Sequence, residues 1–317
     1  MVSLRCPHLS QQVAILATLI AASLAPATEG YAAEVKIGYF NNYLPAELEA
    51  NVIAVIVGGH PALGVAHVSL VGTDVTPAWV GITRGDTDVL VEVALPNQQP
   101  LLDKAARTVV TLSQIYGDAR EGLFVPRYVV AGAGAPAPGL KRVDQLERYK
   151  ELFGGTFYDE SPGWQSTKLN SMRLKAYGID FTHLELSDAA LIAAVVRAED
   201  RKQPIVFFFY HPHWLFKRFD LVKLEEPNPY HAGCFENGVG QCAVPSFSAW
   251  VAARTDLAAR APRFYALLSH FTIPIDDVED MMLRVNTEKR SARDAATVWV
   301  DAHRAEVDRW SSLAAGH

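Results

Sequence analysis

A buried strand that runs directly into an aromatic and histidine cluster constrains the fold of this chain most. Ile205 to Phe209 are consecutive apolar residues, typical of a strand covered on both faces of a sheet. Tyr210-His211-Pro212-His213-Trp214 follows at once. Residues 88–97 show the same pattern, an apolar strand followed by a turn that contains proline. Ligands of open α/β sheets gather beyond such strand ends, so two similar ends predict two lobes that share one cleft.

Composition and charge exclude several classes of protein. The 317 residues are 50% hydrophobic, enough material for two globular domains of ordinary size. The formal net charge is -6, and no block of lysine or arginine occurs. Such a chain is poorly suited to neutralising many phosphates, so nucleic acid is not an expected partner.

The first 33 residues have the composition of a secretory signal peptide. Arg5 precedes an apolar run from Val13 to Leu24, and small residues follow as far as Ala33. Pro26 and Glu29 interrupt the run before it reaches the roughly 20 apolar residues of a membrane span, so a retained anchor is the weaker alternative. We therefore expect export to the periplasm.

Removal of that segment leaves two cysteines, Cys234 and Cys242. In an exported protein we expect them to form a disulfide that pins the glycine-containing loop between them. A reactive thiol or a metal site is less favoured, because His231 is the only basic or histidine partner nearby.

Strand and helix patterns alternate from Glu34 onwards, which predicts parallel pairing within an α/β fold. Loose segments at Gly122–Val130 and Pro227–Pro245 are expected to carry the chain between the lobes and to act as hinges. The sequence beyond Pro245 predicts helices only, beginning with one over 247–260, and these should pack on the first lobe. The expected division is 34–128 for the first part of lobe 1, 129–228 for lobe 2, and 229–317 for the mainly helical return to lobe 1.

Aromatic residues concentrate at the predicted strand ends. A quaternary ammonium group has no N–H, and each ring face attracts it by about 0.5 to 2 kcal/mol when water is excluded. Several rings together would therefore select such a cation, although each ring taken alone is as readily a core residue. The candidates include Tyr39, Tyr43, Tyr116, Trp164, Tyr210 and Trp214.

An anion site is also possible at the start of the helix predicted from Trp164. The free N–H groups after Ser161-Pro162-Gly163 could receive a carboxylate, and an ordinary helix cap explains the same residues equally well. His211 and His213 could bond to that anion, or could point to opposite sides of their turn.

Four segments together resemble the substrate-binding proteins of ABC importers for glycine betaine, choline and proline betaine. They are Val35–Asn41, Gly81–Asn97, Gly122–Val129 and Tyr210–Pro227, and the similarity spans the whole chain after the signal peptide. The resemblance implies a type II periplasmic binding fold with two lobes, an importer permease as partner, and no catalytic step or cofactor. A monomer is expected.

The resemblance also implies ligand-binding residues, although incompletely. Relatives usually have tryptophan where this chain has Ala94, and again where it has Tyr210, whereas Trp164 and Trp214 match. Alanine in place of an indole leaves volume, so we expect a ligand bulkier than glycine betaine or one less dependent on cation–π contact. The expected ligand-binding residues are Tyr39, Tyr43, Ala94, Pro96, Tyr116, Gly163, Trp164, Tyr210, His211, His213 and Trp214.

Two other functions fit parts of the sequence. A secreted metal-dependent hydrolase could use His211 and His213 as ligands or bases, but the proline between them restricts their approach to one ion, and none of the common hydrolase motifs occurs. A sensory domain with the same fold would report a solute without delivering it.

Overall fold

A computed structural model of the chain describes residues 33–41, 43–162, 164–236 and 240–315. The predicted signal peptide, apart from Ala33, and Gly163 lie outside these residues. Among the described helices, none combines the length and the apolar composition needed to cross a bilayer.

Five strands form the sheet of the first lobe: β1 (Ala33–Phe40), β2 (Val65–Thr73), β3 (Val89–Leu95), β4 (Val109–Ala119) and β10 (Phe247–Arg254). Their order is β2-β1-β3-β10-β4. The alternation of strands and helices predicted parallel pairing, and β1 does pair in parallel with both β2 and β3. The carboxyl ends of β1 and β3 therefore lie at the same edge of the sheet.

Five further strands form the sheet of the second lobe: β5 (Glu121–Pro126), β6 (Thr156–Asp159), β7 (Thr182–Glu185), β8 (Phe207–Tyr210) and β9 (Leu221–Lys223). Their order is β7-β6-β8-β5-β9. β8 is the predicted strand that leads into the histidine cluster, and all four of its residues are buried. It pairs in parallel with β6 and antiparallel with β5, so it lies in the middle of the sheet.

The helices divide between the two lobes. The first lobe carries α1 (Leu44–Gly59), α2 (Val75–Arg84), α3 (Gln99–Ala105), α8 (Leu257–Arg260), α9 (Pro262–Leu268), α10 (Ile275–Glu288), α11 (Ala292–Ala302) and α12 (Arg304–Ala315). The second carries α4 (Arg127–Val130), α5 (Gln165–Ala176), α6 (Asp188–Arg201) and α7 (Leu215–Arg218). Short 3-10 helices cover Pro61–Leu63, Val143–Tyr149 and Glu151–Phe153.

β10 corrects the prediction of a helix over 247–260. The segment Phe247–Arg254 is a strand that lies between β3 and β4 and runs antiparallel to both. Ala249, Ala252 and Ala253 are fully buried there. Alanine favours helices intrinsically, but the pairing available on both sides of this strand overrides that weak preference.

The C-terminal helices pack on the first lobe, as the sequence predicted. Trp299 of α11 and Trp310 of α12 are buried in the same apolar core as α1, and their rings stack with centroids 6.4 Å apart. The indole N–H of Trp299 donates to Asp277 on α10 at 3.0 Å. These tryptophans therefore hold the helical layer together.

The second sheet begins at Glu121, eight residues before the lobe boundary expected at 129. The reason is that β5 follows β4 after a single residue, Arg120, and pairs with β8 and β9. The division into 34–128, 129–228 and 229–317 stays a prediction, as does hinge motion at 122–130 and 227–245.

Candidate functional site

A cavity of about 670 Å³ lies between the two lobes. The first lobe lines it from the ends of β1 and β3, and the second lobe from β5, β8 and the start of α5. A loop before β10 contributes a third wall. The lining residues used below are Phe40, Tyr43, Glu92, Ala94, Glu121, Trp164, Tyr210, Tyr230, Cys234, Phe235, Glu236 and Phe247.

Three aromatic rings from both lobes meet at this cavity. Tyr43 precedes α1 in the first lobe, and its ring centroid lies 6.5 Å from that of Tyr210 at the end of β8. Trp164 immediately precedes α5, with its ring 5.8 Å from Tyr210. Trp164 is 40% exposed, unusually open for tryptophan, so its indole face is available to a ligand.

Of the residues predicted from sequence to bind ligand, Tyr43, Ala94, Trp164 and Tyr210 line the cavity. Tyr116 is buried behind the lining and touches it through Glu92.

Tyr39, Pro96 and Trp214 do not line the cavity. The ring of Tyr39 lies beside Gly72 on the neighbouring strand β2. Trp214 is buried in the apolar core, with the Arg218 guanidinium 5.9 Å from its ring. Pro96 belongs to the turn in which the Gln98 N–H donates to the Ala94 carbonyl at 2.8 Å.

Neither histidine lines the cavity, and the ring of His211 and the backbone N–H of His213 both meet Glu279 of α10. Nδ1 of His211 donates to Oε1 of Glu279 at 2.7 Å, and its ring stacks on Phe216. His213 is buried, and its Nδ1 accepts the Leu215 N–H at 3.2 Å. Burial, followed by the nearby His211, lowers the pKa of His213 to about 3, so it is neutral at ordinary pH. The described residues contain no group of three or more histidine, cysteine or acidic side chains that could hold a metal ion.

Glu92 is a feature of the site that the sequence analysis missed. It lies in β3, lines the cavity and is 1% exposed. The Tyr116 hydroxyl donates to its Oε1 at 2.5 Å. Its φ is +60°, a conformation that side chains other than glycine rarely adopt. A carboxylate within an otherwise apolar strand was the sequence signal that could have located it.

A second buried carboxyl group, Glu49 of α1, lies beside Glu92. Burial and then the neighbouring charge of Glu92 raise the pKa of Glu49 well above its usual range. Burial also raises the pKa of Glu92, while hydrogen bonding from Glu49, Tyr116 and Tyr43 opposes that rise. Two neighbouring buried carboxyl groups do not both ionise readily, so the pair binds a proton more tightly than two exposed glutamates would.

Glu121 faces the cavity from the second lobe. Burial raises its pKa to about 7, and the positive charges of Arg173 and Lys223 act in the opposite direction. Arg173 is buried, donates to Asn170 at 2.7 Å and forms an ion pair with Glu226. The negative charge of Glu121 is thus partly balanced by cations of its own lobe.

The predicted disulfide between Cys234 and Cys242 is confirmed, with the two Cα atoms 6.3 Å apart. The linked loop lines the cavity through Cys234, Phe235 and Glu236, and Tyr230 lies just before it. The cysteine spacing predicted that the loop is pinned. It carried no information about which surface the loop faces, so these lining residues were missed.

Residues 33–302 match the model of a protein family that is described as the substrate binding domain of ABC-type glycine betaine transport system. The chain belongs to this family. The resemblance inferred from the four sequence segments is therefore confirmed. A curated relative, the glycine betaine-binding periplasmic protein OusX of Dickeya dadantii, is 24% identical over 269 residues, which are 76% of this chain and 79% of that protein.

Solved structures of the family share the fold. Lactococcal OpuAC, in a closed conformation with glycine betaine, aligns with a TM-score of 0.67 at 23% identity, covering 87% of this chain and 98% of that one. An ABC-transporter choline-binding protein in complex with choline aligns with a TM-score of 0.64 at 18% identity, covering 88% and 91%. The expected type II periplasmic binding fold with two lobes is confirmed.

Proposed function

We propose that this protein is the solute-binding component of an ABC importer. It captures a small quaternary-ammonium or zwitterionic compound, such as glycine betaine, choline, proline betaine or a bulkier relative, and presents it to the importer permease. The family assignment over residues 33–302 supports this function. No turnover, cofactor or nucleic-acid partner is part of the proposal.

The meeting of Tyr43, Trp164 and Tyr210 at one cavity carries the proposal. Rings from both lobes converge there, and ring faces attract a cation through their quadrupole most strongly where water is excluded. A ligand held by both lobes would stabilise their closed arrangement, which is how two-lobed receptors signal occupancy to a partner.

Ala94 supports a ligand that is bulky around its cationic group. It lines the cavity at the position where relatives usually carry tryptophan, and a methyl group leaves the volume of an indole open. A larger betaine, a carnitine-like compound or an amino-acid derivative would fill that space.

The expected cellular location of the protein follows from its predicted export. The predicted signal peptide over residues 1–33 would deliver the chain to the periplasm, and the bridge between Cys234 and Cys242 suits an oxidising compartment. We propose a monomer that closes about the segments where the chain passes between the lobes, at Arg120 and at 227–245.

A thermal-shift and calorimetric screen of the purified protein tests this function, using betaines, choline, carnitine and amino acids. We expect at least one quaternary ammonium compound to bind and to quench tryptophan fluorescence, because Trp164 lies on the cavity. A Trp164→Phe variant, which keeps an aromatic ring, should bind with only modest loss. Stoichiometric zinc without quenching by any of these compounds would instead favour a hydrolase that uses His211 and His213.

A further inference from the structure

Among the described residues Glu92 has no basic partner, although it is a buried carboxyl group that lines the cavity. Its Oε1 accepts the Tyr116 hydroxyl, while Oε2 is buried and accepts no hydrogen bond of ordinary geometry within the described part of the chain. A carboxylate taken out of water is unfavourable unless a cation or several donors replace the lost solvation. The Tyr116 hydroxyl is the one observed donor to Glu92 among the described residues, and no basic side chain there contributes to its pKa.

Glu121 provides an internal comparison. Arg173 and Lys223 lie close enough to Glu121 to oppose the rise in its pKa that burial causes, whereas no lysine, arginine or histidine of the described residues contributes to the pKa of Glu92. The two glutamates face the same cavity from opposite lobes. The charge of Glu121 is partly balanced by cations of its own lobe, whereas no basic side chain among the described residues accompanies Glu92.

The charges of the remaining lining residues also favour a cationic ligand. The described lining includes three carboxylates, Glu92, Glu121 and Glu236, and no basic side chain. A zwitterion brings one negative group into this lining, where backbone N–H groups and neutral amide and hydroxyl groups such as those of Asn41, Gln98 and Ser166 could meet it, but no basic side chain of the described lining could. A compound of net positive charge brings none.

The backbone at Glu92 holds this carboxylate in place. A φ of +60° at a residue other than glycine is strained, and strain of this kind concentrates at functional sites. Glu92 and Ala94 are two residues apart on β3 and both line the cavity. The space above Ala94 therefore lies next to the unpartnered carboxylate.

We infer that Glu92 is the counter-ion of the ligand's cationic group, so that the site selects a compound of net positive charge over a zwitterion of similar size. The inference rests on the proposed function and specifies its ligand class. Tyr116 is a positioning residue, because its hydroxyl donates to Oε1 of the Glu92 carboxylate.

Choline and glycine betaine test the inference, because they share a trimethylammonium group and differ in net charge. Calorimetry on the wild-type protein should show choline binding at least about tenfold more tightly, the ratio expected when one charge-assisted contact favours the cation. Glu92→Gln, which keeps the shape and removes the charge, should weaken choline roughly tenfold to hundredfold and reduce the ratio. The wild-type ratio decides the question even if this variant does not fold.

Glu199→Gln is the matched control, since Glu199 is a buried glutamate of α6 that does not line the cavity. It should leave both affinities unchanged. Glycine betaine binding more tightly than choline to the wild type, or choline binding to Glu92→Gln with undiminished affinity, would overturn the inference and leave the proposed function standing. Failure of the wild type to bind any quaternary ammonium compound in the screen would overturn the proposed function itself.

Discussion

Glu160 should make the empty protein less stable as the pH rises. It follows β6, is fully buried, and neither of its carboxylate oxygens has a donor among the described residues. Burial first, and then the charges of Asp188 and Asp159, raise its pKa from the ordinary 4.5 to about 8. Glu160 therefore keeps its proton in the folded protein well above the pH at which an exposed glutamate releases it.

The sign of the effect follows from proton linkage. Between about pH 4.5 and pH 8 the folded protein holds a proton on Glu160 that the unfolded chain has released, so the free energy of unfolding falls over this window. A shift of this size corresponds to at most about 5 kcal/mol, and solvent screening around the exposed Asp188 reduces the expected loss to about 1 to 3 kcal/mol.

Glu160→Gln removes the titration and keeps the size of the side chain. We expect the variant to match the wild type near pH 5 and to be more stable by about 1 to 3 kcal/mol near pH 8.5, measured by urea unfolding without ligand. Glu151→Gln, at an exposed position, controls for the loss of one carboxylate. A stability difference that is the same at both pH values would refute the reasoning.

Three other substitutions test the site. Trp164→Ala should weaken a trimethylammonium ligand roughly two- to thirtyfold in calorimetry by removing one ring face, and an unchanged affinity would contradict the aromatic site. Ala94→Trp should change the affinity for glycine betaine, because an indole would fill the open volume. Tight binding of glycine betaine with the same affinity in the wild type and in this variant would disprove the enlarged cavity. Replacing Cys234 and Cys242 by serine should reduce the free energy of unfolding by about 2 to 3 kcal/mol in urea titrations and weaken ligand binding; unaltered stability would argue against the loop's contribution.

Periodicity predicted the parts of the fold that local sequence controls. The strands β1, β3 and β8 and the helices α1 and α6 were predicted because apolar spacing and cap residues are local signals, such as the Ser187 hydroxyl that accepts the Ala190 N–H at the start of α6. β10 was missed because its state depends on distant partners. A strand that is buried between β3 and β4 needs no alternating polar face, and its alanines then resemble a helix.

The candidate site was only partly predictable for a related reason. Tyr43, Trp164 and Tyr210 could be named because each lies at the end or start of a predicted element. The direction in which His211 and His213 point depends on Glu279 of α10, which is 68 residues further along the chain than His211. No local pattern around the histidines contains that information.

Glu92, which carries a carboxyl group, and Ala94, where relatives usually have an indole, lie close together on β3. Glu92 and Ala94 share a face of the strand, so this surface of the cavity has a negative charge close to where relatives usually present a ring. A ring attracts any trimethylammonium group, whatever negative group the rest of the molecule carries, because its quadrupole acts only at short range. A buried carboxylate acts on the net charge of the ligand at longer range, since little water screens it. With a carboxyl group at Glu92 and no ring at Ala94, we expect this surface to favour cations over zwitterions and to leave room for larger head groups, and Glu92→Gln and Ala94→Trp measure the two effects separately.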